Sequence, residues 1–183
     1  MDICARTSGW IECAISNYKN VGDPEIFPCR RNSHKSIIME EKIVKSIIGG
    51  IAKDHRGQIR FVNDFDMAQV KRFYIIKNTD TELIRGWRAH RMEQRWFYAL
   101  SGSFAVDLIR IDNWENASPD LPVEKRILKS EKHEVLHIPV DYGTAFQALE
   151  PESELLVFAD HGIEHAKNDD YTWPEDYFVN RDK

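Results

Sequence analysis

From Ile43 onward the chain alternates short runs rich in β-branched and aromatic residues with turn signals, as in Arg72-Phe73-Tyr74-Ile75-Ile76-Lys77 followed by Asn78-Thr79-Asp80. Apolar residues at i, i+3, i+4 and i+7 are nowhere sustained long enough for a substantial helix. The pattern predicts strands at Ile43–Ile51, Gln58–Asn63, Val70–Lys77, Leu83–His90, Arg95–Leu100, Ser103–Arg110, Glu124–Leu128, Glu134–Ile138, Gly143–Leu149 and Leu155–Ala159. Arg56-Gly57, Ser101-Gly102 and Pro139-Val140-Asp141 supply further breaks. Only Asp64–Gln69 and the C-terminal tail invite a helical turn. The reading is all-β, a sandwich or small barrel.

Residues 1–38 read differently. They hold all three cysteines, two prolines and the polar run Cys29 to Lys35, without sustained periodicity. We expect 1–38 to be a peripheral extension and 39–183 to be the functional domain with a C-terminal tail. A chain of 183 residues suffices for one domain with one core. The net charge of −5 argues against a broad field for nucleic acid, while leaving room for a local basic pocket. No apolar run approaches the ~20 residues of a membrane helix, and no basic region precedes an apolar stretch at the N-terminus. The expected location is the cytoplasm. Cys4, Cys13 and Cys29 lack CxxC spacing and a histidine cluster, which speaks against a disulfide framework or a zinc site.

The segment Ile84-Arg85-Gly86-Trp87-Arg88-Ala89-His90, with Gly102 after it, resembles the first conserved motif of cupins: Arg88 and His90 stand at the two histidine positions and Arg95 at the glutamate position. Val135 to Phe146 is similar to a second segment of the deoxysugar 3,5-epimerases, with Thr144 in place of a histidine. Asp54-His55-Arg56-Gly57 and Gly102 to Leu108 resemble two further elements of those enzymes. Together these matches span about residues 43 to 160. The resemblance implies a cupin jelly-roll barrel related to dTDP-4-dehydrorhamnose 3,5-epimerase. The related sugar 3,4-ketoisomerases, with R-G-x-H-A-H, match nearly as well.

What the resemblance implies about chemistry is specific by position. Its catalytic base falls at Arg88, a guanidinium that stays protonated and cannot serve as a base. His90, two residues on and on the same strand face, is the substitute candidate; the alternative is a buried histidine satisfied by hydrogen bonds. Arg95 keeps the positive charge that in the family steadies an enolate oxygen. The family's acid, a tyrosine, falls within Leu155 to Phe158, where none stands; Tyr98, Tyr74 and Tyr142 are the stand-ins. Arg56, Arg85 and Arg88 suit a diphosphate, and Trp87 and Tyr98 a base or sugar ring. With His90 alone retained among the metal-ligand positions, between two cations, no metal is expected. No cofactor is implied.

Two functions fit these residues. One is a nucleotide-sugar epimerase or isomerase working on a 4-keto-6-deoxy sugar by proton transfer, with His90 and Arg95 catalytic. The other is a catalytically altered cupin that binds a sugar nucleotide without turnover. The expected partners are the small-molecule nucleotide sugar and a second copy of the chain, as a homodimer that covers exposed strand edges.

Overall fold

A computed structural model describes residues 42–178. The expectation for residues 1–38 falls outside them. The described residues form the expected all-β barrel, built from twelve strands: β1 (Lys45–Ile48), β2 (Gly50–Asp54), β3 (Gly57–Phe61), β4 (Arg72–Lys77), β5 (Ile84–His90), β6 (Arg95–Ser101), β7 (Ser103–Arg110), β8 (Glu124–Lys129), β9 (Glu134–Ile138), β10 (Tyr142–Ala148), β11 (Glu154–Ala159) and β12 (Tyr171–Thr172). Two five-stranded antiparallel sheets, in the orders β1-β9-β6-β11-β4 and β12-β5-β10-β7-β8, face each other, and β2 and β3 pair as a separate hairpin. Among the described residues no helix is long and apolar enough to cross a membrane.

The alternation along each strand explains how the sheets close. Phe97 and Ala99 of β6, Phe104, Val106 and Leu108 of β7, Phe146 and Ala148 of β10, and Leu155 and Val157 of β11 point into one buried cluster between the sheets. Residues of opposite parity on the second sheet build a second cluster on its outer face. There Trp87, Ala89, Ile109 and Ala145 are covered by Ile111, Trp114, Ala117 and the tail residues Trp173, Tyr177 and Phe178. The tail thus completes a core layer.

Three expectations are corrected. The run Ile43–Ile51 is not one strand but two, broken at Gly49. The backbone there passes so close to its surroundings that an added Cβ would lie 2.1 Å from the Phe61 carbonyl oxygen and 2.4 Å from that of His133, and the Gly49 N–H donates to the His133 carbonyl at 2.8 Å. Only glycine allows the chain to leave the first sheet for the hairpin at this point. Residues 64–69 form turns without a helix, because Phe65 is drawn onto the outer face of the first sheet against Trp96 and Phe158. The tail's helical turn is a 3-10 helix, Ile163–Asn168, followed by β12, which a two-residue pattern does not announce.

Candidate active site

The site is built on the inner faces of four strands. Register pairs Thr144 with Arg88, and Tyr142 with His90, between β10 and β5; a shift between Thr144 and Phe146 then sets Phe146 opposite Arg85. That irregularity brings Arg85 and Arg88, three residues apart, to the same side. On the facing sheet, β11 aligns Ala159 with both Arg72 and Arg95, and Val157 with both Tyr74 and Phe97. The result is a cavity of about 200 Å³ lined by Tyr74, Ile76, Arg85, Gly86, Trp87, Arg88, Arg95, Thr144, Phe146 and Thr172.

Arg95 lies at the floor, 4% exposed. Its Nη2 donates to Thr144 Oγ1 at 3.1 Å, its guanidinium sits over the Phe97 ring at 5.4 Å, and Tyr74 interacts with it through its hydroxyl. Burial pushes its pKa below the ordinary arginine value, opposed by Tyr74 and Glu93, yet a guanidinium keeps its proton at any physiological pH. Arg88, at the rim, pairs with Asp170 at 2.8 Å.

His90 is buried immediately behind these arginines. Its Nδ1 is hydrogen-bonded to the Asp169 carbonyl oxygen; that oxygen can only accept, so Nδ1 carries the proton and Nε2 is the bare nitrogen. Nε2 lies 3.9 Å from Glu93 Oε1, a buried oxygen that has no hydrogen-bond partner. The other Glu93 oxygen accepts from Arg72 Nη2 at 2.8 Å. The His90 pKa falls from 6.5 to about 3, through burial first and the Arg95 charge second, with Arg88 and Arg72 adding and the Asp169 hydrogen bond opposing. The nearby Glu93 carboxylate favours an imidazolium, but Arg72 already neutralises it.

Of the candidates read from the sequence, Arg85, Arg88, Arg95 and Trp87 line the cavity; His90 does not line it but is buried close enough to feel the charges of Arg95 and Arg88, and Arg56 and Tyr98 lie apart. Arg56 sits at the exposed β2–β3 turn, where its backbone N–H, Nε and Nη2 all donate to Asp54; it lines a different, shallow concavity with Asp54 and Gly57. Tyr98, three residues from Arg95 on a regular strand, faces outward. Trp87 meets the cavity wall, but its indole belongs to the outer cluster, donating to the Glu175 carbonyl at 3.1 Å and meeting the Phe178 ring edge-on at 5.2 Å. It is not placed to stack on a ligand in the barrel. Thr144 and Phe146 were visible as motif positions, and Tyr74 as a spare tyrosine, whereas Arg72, Asp169 and Asp170 carried no signal in the sequence.

A larger concavity of about 470 Å³ lies on the outside of the first sheet around Trp96 and His137, lined by two lysines and two aspartates among its polar residues. Its charges balance, whereas three arginines converge in the barrel, and we place the site there. Among the described residues no group of three or more His, Cys, Asp or Glu is placed to hold a metal ion.

Two facing antiparallel sheets with a cavity between them define a cupin barrel. The solved structures it resembles agree in fold: the WlaRB TDP-quinovose 3,4-ketoisomerase from Campylobacter jejuni, at 22% identity over 76% of this chain and 99% of that chain with TM-score 0.57; a histidine-to-asparagine mutant of the 3,4-ketoisomerase QdtA from Thermoanaerobacterium thermosaccharolyticum in complex with TDP-4-keto-6-deoxyglucose, at 20% over 74% and 91% with TM-score 0.56; and the rmlC epimerase of Mycobacterium tuberculosis, at 13% over 74% and 72% with TM-score 0.60. The family model described as FdtA: WxcM-like, C-terminal, matches residues 42–183, and the chain belongs to that family. Among curated proteins none matches the sequence.

Proposed function

We propose that the barrel binds a nucleotide-linked keto sugar and moves a proton at a carbon next to its carbonyl, as a 3,5-epimerase or a 3,4-ketoisomerase does. The observation that carries this reading is Arg95, a buried guanidinium held by the neutral side chains of Thr144 and Tyr74, with the bare Nε2 of His90 behind it. Enolisation needs a base, a cation for the oxygen that gathers charge, and an acid. His90 accepts the proton, Arg95 stands by the enolate oxygen, and Tyr74 is the lining side chain with a proton to return. Arg85 and Arg88, both exposed at the rim, receive the diphosphate. A cavity of about 200 Å³ is smaller than the ~300 Å³ and more of whole-ligand pockets, so the sugar enters and the nucleoside stays outside.

The test is incubation with TDP-4-keto-6-deoxyglucose in deuterated water. Deuterium is expected at C3 or C5, His90→Asn should slow its uptake by about 10²-fold or more while sparing binding, and Arg95→Ala should slow it as well. A second reading, binding without turnover, is favoured by the absence of any histidine or carboxylate among the lining residues. Retained TDP binding with no deuterium uptake by the wild-type protein would select it.

The homodimer belongs to the same proposal. Phe73 and Ile75 on the outer face of the edge strand β4 are 67% and 52% exposed, and such a face favours a covering partner. Sedimentation velocity at micromolar concentration should give a dimer; a monomer there would refute it.

A further inference from the structure

We propose that Asp170 is a positioning residue for the diphosphate, holding Arg88 at the cavity mouth with its guanidinium set to receive a phosphate. The inference rests on the reading that Arg88 meets the diphosphate, and it names the group that makes Arg88 ready for it. Asp170 belongs to a stretch of the tail that the fold pins on both sides. Before it, the Asp169 carboxylate is held by the backbone N–H groups of Arg91, Met92 and Glu93. After it, β12 pairs Tyr171 with Ala89 and Thr172 with Arg88, and Trp173 and Trp87 exchange both backbone hydrogen bonds at 3.1 Å. The backbone at Asp170 is therefore fixed against β5, the strand that carries Arg85, Arg88 and His90. Its carboxylate meets Arg88 Nε at 2.8 Å, and Thr172, two residues on, lines the cavity together with Arg88.

This ion pair does little for the fold. Its Arg88 and Asp170 side chains are 58% and 37% exposed, and pairs so open to water add little stability. What the pair does fix is a long, rotamer-rich side chain that would otherwise spread into solvent, under repulsion from the charge of Arg95. Ordering such a side chain during binding costs entropy, and a partner that orders it beforehand removes that cost from the ligand's affinity. Asp170 also leaves the guanidinium usable. It approaches from the Nε side, so the Nη1–Nη2 edge stays available for two parallel hydrogen bonds to a phosphate. A carboxylate that merely competed with the diphosphate for Arg88, or repelled it, would act with the opposite sign, and its removal would tighten binding.

The experiment is calorimetry of TDP on the wild type, Asp170→Ala, Arg88→Gln and the double variant, at ~0.15 M salt, where exposed charges more than ~8 Å apart are largely screened. Arg88→Gln should weaken TDP binding about tenfold, the scale of one charge-assisted contact. Asp170→Ala should weaken it about threefold, the scale of one exposed ion pair, and should cause no further loss once Arg88 is replaced by glutamine. The melting temperature of Asp170→Ala should match the wild type. A threefold loss in both backgrounds would show that Asp170 acts without Arg88, as a merely structural residue does, and would overturn the proposal. Unchanged or tighter binding by Asp170→Ala would also overturn it, while leaving the diphosphate on Arg88. If Arg88→Gln binds TDP as the wild type does, or the wild type binds none, the diphosphate is not on Arg88 and both readings fall. Should Asp170→Ala not fold, Asp170→Asn, which keeps the shape and removes the charge, gives the same comparison.

Discussion

Replacing Asp169 by alanine should destabilise the barrel by about 4 kcal/mol, the largest stability loss we expect from a single polar substitution. Asp169 is 3% exposed, and its carboxylate gathers the turn between β5 and β6. One oxygen accepts from the N–H of Arg91 at 2.7 Å, and the other from those of Met92 at 3.0 Å and Glu93 at 2.8 Å. Hydrogen bonds to a charged group contribute about 1.5–3 kcal/mol each, and buried N–H groups left without a partner add a desolvation cost. Three such bonds are not additive, and the expected loss is accordingly set below their sum. Urea unfolding of wild type and Asp169→Ala gives the difference directly. A loss under about 1 kcal/mol would show that water replaces the carboxylate and that the turn holds itself. Because the Asp169 carbonyl also fixes the His90 ring, the substitution should disturb the site even in the fraction that stays folded.

Asp169 also shows where sequence reading stops. Its partners lie 76 to 78 residues away, and no local pattern joins a tail aspartate to a turn on the far side of two strands. The strands themselves were legible, since alternation and turn residues report one buried face, and this holds for β4, β6, β7 and β11 nearly to the residue. Within the site, the shared face of Arg88 and His90 followed from their spacing of two. The same parity rule places Tyr98 opposite to Arg95, so its exclusion from the cavity was available from the spacing alone. Trp87 and Arg85 were harder. The register shift between Thr144 and Phe146 breaks strict alternation along β5, and a count of two loses the faces there. The run Ile43–Ile51 misled for another reason. Apolar residues continue through Gly49 while the chain changes sheets, and hydrophobicity does not record which sheet a strand joins.

His90 should make the fold acid-sensitive. Its folded-state pKa of about 3 lies below the unfolded value of 6.5, so between these limits the unfolded chain binds a proton that the native one refuses. Stability then rises with pH in this window, at up to about 1.4 kcal/mol per pH unit. The contribution is complete above pH 6.5 and is lost as pH falls toward 3, amounting to about 2 kcal/mol by pH 5. The imidazole is buried, so solvent screens little of it, and the groups that oppose its charge are Arg95, Arg88 and Arg72. Other carboxylates titrate over the lower part of the same range, which makes the informative quantity a difference between proteins. We expect His90→Gln to lose stability at pH 7, where its hydrogen bond to Asp169 is altered, and to close that gap on the wild type by about 2 kcal/mol at pH 5. Parallel stability curves for the two proteins from pH 7 to pH 5 would show that His90 takes up its proton without resistance, as it would if Glu93 Oε1, 3.9 Å away, received the Nε2–H. A bound anion offers a further check on the sign. A diphosphate on Arg88 offsets one of the charges that hold the imidazole deprotonated, so saturating TDP should move the His90 pKa upward and flatten the slope. That upward movement is also what a base requires, because a histidine near 3 accepts a proton poorly, and one restored toward neutrality by its substrate's own charge accepts it when the sugar is in place.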